Sequence, residues 1–274
     1  MSIPTLTLNN GVEIPQLGFG VFQVPDAETT TAVSQAIAAG YRSIDTAAIY
    51  GNEAGVGRAI AASGVSRSEL FVTTKLWNSD QGYDSALTGF DASLAKLGLD
   101  SVDLFLIHWP APENDRYLDT WRALETLYAE GRVRAIGVSN FLPDQLQRIL
   151  DLGGTVPAVN QVELHPALQQ REVQEFNAAH GIITEAWSPL AQGAVLADPV
   201  IATIAERVFR TPAQVVLRWH LQQSRVVIPK SVTASRIREN LDLFSFELTD
   251  ADLTAIDGLE RDGRTGPHPA TFNG

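Results

Sequence analysis

The sequence predicts an α/β fold, a (β/α)8 TIM barrel with an N-terminal β-hairpin, on three observations. About eight short apolar runs alternate with helix-like amphipathic stretches, the rhythm of a parallel sheet. Polar residues that are unusual in such runs recur at the C-terminal ends of successive ones. Asp45, Lys75, His108 and Ser139 lie 30, 33 and 31 residues apart, about one strand–helix unit each time. That placement fits a barrel, whose active site collects at the C-terminal rim. G-x-G-x-x-G does not occur, so the other eight-stranded architecture, an open doubly wound sheet, lacks its dinucleotide fingerprint.

The chain opens with TLTLNNGVEIP, which alternates, turns at Asn10-Gly11 and alternates again, and so predicts a hairpin with a type I′ turn. QLGFG is the first barrel run, followed by the amphipathic AETTTAVSQAIAAG. YRSIDT, LFVTTKL, VDLFLIHW, VRAIGVS, AVNQVEL, IITEAWS and RVVIPKS supply the other seven. Ahead of the last, TPAQVVLRWHLQQ has Thr211 as N-cap and Pro212 at the first helical position. No linker divides the chain, so residues 1–274 read as one domain. The end, DGRTGPHPATFNG, is expected to be disordered.

Of the 274 residues 45% are apolar, enough for a large core. Lys+Arg 20 against Asp+Glu 32 gives a net charge of -12. An acidic body argues against a nucleic-acid binder, yet it leaves room for a local basic pocket holding one anionic ligand. With no cysteine there is no disulfide framework, thiolate chemistry or Cys-ligated zinc. MSIPTLTLNNG lacks the basic and apolar regions of a signal peptide, and no run approaches a membrane span. A cytoplasmic protein without membrane contact is the expectation. Walker A, G-x-S-x-G, His-x-His and H-E-x-x-H are absent, and no tyrosine is followed by lysine four residues on.

Asp45, Lys75 and His108 end neighbouring runs, and Tyr50 lies in the loop after Asp45, ahead of Gly51. A phenol ionises at roughly pH 10 and is a poor acid at neutrality. A nearby ammonium favours the phenolate and makes the hydroxyl a better donor. Lys75 supplies that charge, Asp45 holds Lys75 in place, and His108 orients a carbonyl oxygen. Together they form a proton-donating device aimed at a carbonyl. Each also has a plain alternative: a packed tyrosine, a capping aspartate, a solvated lysine, a hydrogen-bonded core histidine. Their shared register favours the chemistry.

Two further clusters stand out. In IPKSVTASRIREN, Lys230 closes the eighth run, and the helix after it carries Arg236, Glu239 and Asn240 at i, i+3 and i+4 on one face. A lysine and an arginine there fit a phosphate monoester, with an ordinary solvated helix as the alternative. Trp77, Trp109 and Trp187 sit at strand C-termini, and Phe22 follows the first run. They suggest an apolar pocket with a flat stacking surface, where Phe22, Tyr50, Trp77, His108 and Trp109 face substrate. Ser139, Asn140 and Gln161 offer groups that fit a carboxamide such as that of nicotinamide, or that simply tie strand ends.

Taken in order, LGFGVFQV, GYRSIDTAAIYGNE, TTKLW, DLFLIHWP, AIGVSNF, NQVELHP and IPKSVTASRIRENL resemble the patterns of the aldo-keto reductase family, from the hairpin to about residue 260. Within it the chain looks most similar to the bacterial 2,5-diketo-D-gluconate reductase group. The resemblance implies a metal-free, monomeric carbonyl reductase using NADPH/NADP+, acting on aldehydes or ketones such as keto sugar acids or small aldehydes. It implies Asp45, Tyr50, Lys75 and His108 as the catalytic set, with Tyr50 the proton donor. It also implies nicotinamide contacts at Ser139, Asn140 and Gln161 and ring stacking by Trp187. The pyrophosphate segment becomes Ser188 to Gly193, with Leu190 and Gln192. The adenosine 2′-phosphate site becomes Lys230, Ser231, Val232, Thr233, Arg236, Glu239 and Asn240. Trp187 stands where many members have tyrosine. Thr233 stands where some relatives carry a basic residue, which loosens the preference for NADPH over NADH. The tail that shapes substrate choice in this family is short here. Two other classes stay open: a nucleotide-sensing subunit that regulates a partner, and a barrel lyase or hydrolase, which leaves residues 228–240 unexplained.

Overall fold

The computed structural model describes residues 3–274 and forms the barrel. Strands β1 (Thr5–Thr7) and β2 (Glu13–Pro15) make the antiparallel hairpin, pairing Leu6 with Ile14. Its turn departs from type I′, which needs positive φ at both central residues. Here Gly11 alone in the turn has positive φ (+83°), and its N–H donates to Leu8 O at 2.9 Å. The asparagines instead reach the neighbouring loops, Asn9 Nδ2 donating to Pro157 O and Asn10 Nδ2 to Arg134 O (3.0 and 2.9 Å).

The barrel strands are β3 (Phe19–Gly20), β4 (Ser43–Asp45), β5 (Phe71–Leu76), β6 (Val102–Ile107), β7 (Val133–Ser139), β8 (Val159–Glu163), β9 (Ile183–Trp187) and β10 (Val226–Val227). They lie side by side in chain order, all parallel. Backbone bonds across the seam close the ring: Gly18 N–H to Val227 O at 2.8 Å and Val227 N–H to Gln16 O at 3.0 Å.

Helices wrap the outside: α1 (Asp26–Ala39), α2 (Glu53–Ala62), α3 (Tyr83–Leu97), α4 (Tyr117–Ala129), α5 (Pro143–Leu150) and α6 (Arg171–Ala179). After β9 the simple alternation breaks, and α7 (Pro199–Val208) precedes α8 (Pro212–Gln222). Short helices α9 (Ala234–Glu239) and α10 (Asp250–Asp257) follow β10. The start of α8 matches its sequence: Thr211 Oγ1 accepts from Gln214 N–H and Gln214 Oε1 from Thr211 N–H, a reciprocal cap. Among the described residues no helix is long and apolar enough to cross a membrane.

Packing decides which end of the barrel is open. Leu8 and Ile14 of the hairpin pack with Phe71, Leu104, Leu106, Ala135, Val159 and Val226. That apolar plug fills the N-terminal end and leaves the polar strand ends at the other. The last residues, expected to be disordered, are tied across that open mouth. Glu163 Oε1 accepts from Thr265 N–H (2.6 Å) and Thr265 Oγ1 (2.5 Å), and Oε2 from Gly266 N–H (3.0 Å). Composition hid this because the anchor is a buried carboxylate about a hundred residues upstream.

Candidate active site

The rim is built around a sealed ion pair. Lys75 Nζ donates to Asp45 Oδ1 at 2.6 Å and to Thr46 O at 3.1 Å. Lys75 is 0% and Asp45 2% exposed, so this lysine is not the solvated strand end of the plain alternative. A buried pair endures where its remaining lone pairs are satisfied, and Gln161 Nε2 donates to Asp45 Oδ2 at 2.9 Å.

Tyr50 ends a short 3-10 turn, Ala48–Tyr50, in the loop after β4. Its ring centroid lies 5.2 Å from Lys75 Nζ and 5.6 Å from the His108 ring. Asn52 fixes that loop from behind. Its Nδ2 donates to Val21 O and Val24 O (2.9 and 3.0 Å), and its Oδ1 accepts from Thr46 Oγ1 at 2.8 Å. The amide thus clamps the Phe22 loop to the Tyr50 loop, and the Phe22 and Tyr50 rings meet at 5.0 Å.

Electrostatics correct one expectation. Burial raises the Tyr50 pKa; the Lys75 charge lowers it, Asp45 raises it, and burial wins. Lys75 therefore offsets part of the burial cost without acidifying the phenol outright. The phenol stays protonated at neutral pH, the state a proton donor needs. Burial alone would lower the Lys75 pKa, but the charges of Asp45 and Tyr50 lift it above its ordinary value. Burial, then the Lys75 charge, hold His108 well below the ordinary imidazole range. Its ring is neutral at neutral pH, and its buried Nδ1 has no hydrogen-bond partner among the described residues.

Sequence reasoning missed Glu185. It lies on β9 opposite Gln161 in register and is 1% exposed. Burial, then the Asp45 charge, push its carboxyl up to about 8 against the opposing pull of Gln161 and Lys75. The signal was a carboxylate inside the apolar IITEAWS, two residues before Trp187 and hence on the same face of the strand.

The aromatic residues gather at the mouth as expected. Trp77 meets His108 edge-on at 5.2 Å, and Trp109 meets Trp187 at 6.4 Å. The tail adds Phe272, which sequence reasoning also missed, at 4.6 Å from Trp109 and 6.3 Å from Trp77. Phe22 stands half in solvent on the far side.

Beside this wall lies a continuous polar chain. Trp187 Nε1 donates to Asn140 Oδ1 at 2.8 Å, and Asn140 Nδ2 donates to His108 O and Ser139 Oγ, both at 3.0 Å. Ser139 Oγ donates to Gln161 O at 2.8 Å. Ser139, Asn140, Gln161 and Trp187 are thus brought together. Gly266 of the tail presses against the indole so closely that a Cβ there would lie 2.5 Å from Trp187 Cη2.

After Trp187 the chain winds through left-handed residues: Ser188, Ala191 and Gln192 at φ +46°, +48° and +54°, then Gly193 at +97°. Leu190 is half-buried there and Gln192 exposed. Past β10, Lys230, Val232, Thr233 and Arg236 are exposed, while Ser231 and Asn240 are buried. Glu239 is drawn toward α8, its Oε1 accepting from Thr211 Oγ1 at 2.8 Å.

A parallel barrel thus brings a sealed lysine–aspartate pair, a protonated phenol and a neutral imidazole together at its C-terminal rim, groups able to exchange protons with a bound molecule. The profile of the aldo/keto reductase family matches residues 16–261, and the chain belongs to that family. It is 53% identical over 266 residues to the glyoxal reductase of Bacillus subtilis, covering 97% of this chain and 96% of that one. It is 52% identical over 271 residues to a methylglyoxal reductase of Yersinia pestis, covering 98% and 97%. A solved variant of Gox0644 in complex with NADPH has the same fold, with a TM-score of 0.96 at 48% identity over 99% of both chains.

Proposed function

We propose that this chain reduces a small aldehyde or ketone to the alcohol with NADPH, Tyr50 delivering the proton. The observation that carries this reading is the Lys75–Asp45 pair, sealed at 2.6 Å beside Tyr50 and His108 at the open mouth. Residues 1–274 act as one catalytic domain, as a cytoplasmic monomer whose partner is a small carbonyl compound.

The residues present fit the dinucleotide. Trp187, fixed by Asn140 and Gly266, offers a flat face to a nicotinamide ring, and Ser139, Asn140 and Gln161 offer polar groups beside it. The left-handed turns from Ser188 to Gly193, with Leu190 and Gln192, suit a pyrophosphate. Lys230 and Arg236 are exposed cations on an otherwise acidic chain and suit a 2′-phosphate. Ser231, Val232, Thr233, Glu239 and Asn240 surround them in sequence and would hold the adenosine.

Bound NADPH supplies the hydride to the carbonyl carbon. His108, neutral, donates one N–H to the carbonyl oxygen and orients it. Tyr50 passes its phenolic proton to that oxygen as negative charge builds there. Lys75 stabilises the phenolate left behind, and Asp45 keeps Lys75 charged and in place. Phe22, Trp77, Trp109 and Phe272 frame the substrate and exclude water.

The two reductases named above act by their names on glyoxal and methylglyoxal. Short dicarbonyls are therefore the first substrate class, and 2,5-diketo-D-gluconate the second. The test is NADPH oxidation, followed by absorbance, against a carbonyl panel holding both classes, with NADH in parallel. Tight NADPH binding with no turnover on any carbonyl would sink the reductase reading and favour a nucleotide-sensing subunit.

A further inference from the structure

We propose that Glu185 is a positioning residue for this reaction, a neutral carboxylic acid beneath the rim whose deprotonation weakens Tyr50 as a proton donor and so closes the alkaline side of reduction. The inference rests on the reductase reading above.

The geometry isolates this side chain. Glu185 lies on β9 between Gln161 of β8 and Val226 of β10. It is 1% exposed, and its buried Oε2 has no hydrogen-bond partner among the described residues. The charged and titratable groups that act on it are Asp45 of β4 and Lys75 of β5, and it acts in turn on Tyr50. Its register partner on β10, Val226, brings no charge. A carboxylate sealed from water, short of a donor and near a second carboxylate is costly, whereas the neutral acid is tolerated. The resting cluster therefore holds one negative charge on Asp45, one positive charge on Lys75, a neutral phenol and a neutral Glu185.

Losing the Glu185 proton changes that balance. A second buried negative charge joins Asp45 around Lys75, and both Lys75 and Tyr50 then hold their protons more tightly. A phenol that holds its proton more tightly is a weaker acid when the carbonyl oxygen needs it. Tyr50 and Lys75 are themselves raised above their ordinary values, and His108 is lowered. On the alkaline side Glu185 is thus the first of the cluster to titrate, and the falling limb belongs to it.

Glu185→Gln keeps the shape and fixes the side chain neutral. The experiment measures NADPH-dependent reduction of methylglyoxal by wild type and variant from about pH 6 to about pH 10, each normalised to its own rate at about pH 7. Wild type should fall by about three- to tenfold on the alkaline side, while the variant stays within about twofold. A variant that keeps the wild-type falling limb overturns the proposal and leaves the reductase reading intact. A wild type that reduces no carbonyl at any pH overturns the reductase reading itself. Should the variant fail to fold, carboxyl-labelled glutamate in the wild-type protein gives the answer by carbon-13 NMR. A glutamate signal titrating near pH 8 supports the proposal, and glutamates that all titrate in the ordinary acidic range overturn it.

Discussion

Lys75 Nζ lies 2.6 Å from Asp45 Oδ1, and both side chains are closed off from water. Removing one partner of such a pair strands the other charge in the barrel, at a cost of about 3–5 kcal/mol. Asp45→Asn should lower the melting temperature by roughly ten degrees or more and reduce turnover with it. Asp119→Asn breaks the exposed Arg122–Asp119 pair, also 2.6 Å long, and should shift melting by at most a few degrees. Calorimetry on the two variants compares them directly; equal shifts would mean the inner pair is not sealed.

Tyr50→Phe keeps the ring against Phe22 and removes only the phenolic hydroxyl, the proposed proton donor. The rate constant for turnover should drop about 10²- to 10⁴-fold, with NADPH affinity by fluorescence titration unchanged. Turnover at the wild-type rate would take Tyr50 out of the mechanism.

The exposed cations past β10 should separate the two dinucleotides. Replacing Lys230 and Arg236 together with alanine should weaken NADPH by about ten- to a hundredfold and NADH by less than about threefold, because only NADPH carries the 2′-phosphate. Isothermal titration with each cofactor reads both numbers. Matching losses would move the phosphate site elsewhere.

Phe272 of the tail lies 4.6 Å from the Trp109 ring, beside the proposed substrate pocket. Phe272→Ala should raise KM for an aromatic aldehyde by about three- to tenfold while leaving kcat and NADPH affinity nearly level, the signature of lost uniform binding. An unchanged KM would show that the tail does not touch substrate.

Glu163 links the tail to pH. Burial would raise its pKa, but hydrogen bonds from His165, Thr265 and Gly266 bring it down to about 2, below the 4.5 of a free glutamate. A carboxyl depressed on folding stabilises fully above its unfolded value and loses that contribution as pH falls through its folded one. The melting difference between wild type and Glu163→Gln should be steady above about pH 5, shrink below about pH 4.5 and vanish near about pH 2. Scanning calorimetry across that range decides it; a difference that grows toward acid would reverse the assignment.

Much of the molecule was legible in the order of its residues. The eight strands, the hairpin, the Thr211 cap and the rim positions of Asp45, Lys75 and His108 follow from two periodicities and a few capping rules. Those depend on neighbours a few residues away. The left-handed Gly11 turn was hidden because its asparagines answer to Pro157 and Arg134. The tail was hidden because its composition is that of a loose end, while its anchor is Glu163.

The sequence by itself determined which groups can meet at the rim, since strand register carries each to the same end of the barrel. Only the tertiary structure decided how those groups are charged. Burial outweighs Lys75 at Tyr50 and, among the described residues, leaves Glu185 Oε2 without a hydrogen-bond partner, and burial is a property of the whole packed barrel. No local pattern encodes how much water is excluded from one carboxyl by side chains drawn from eight strands.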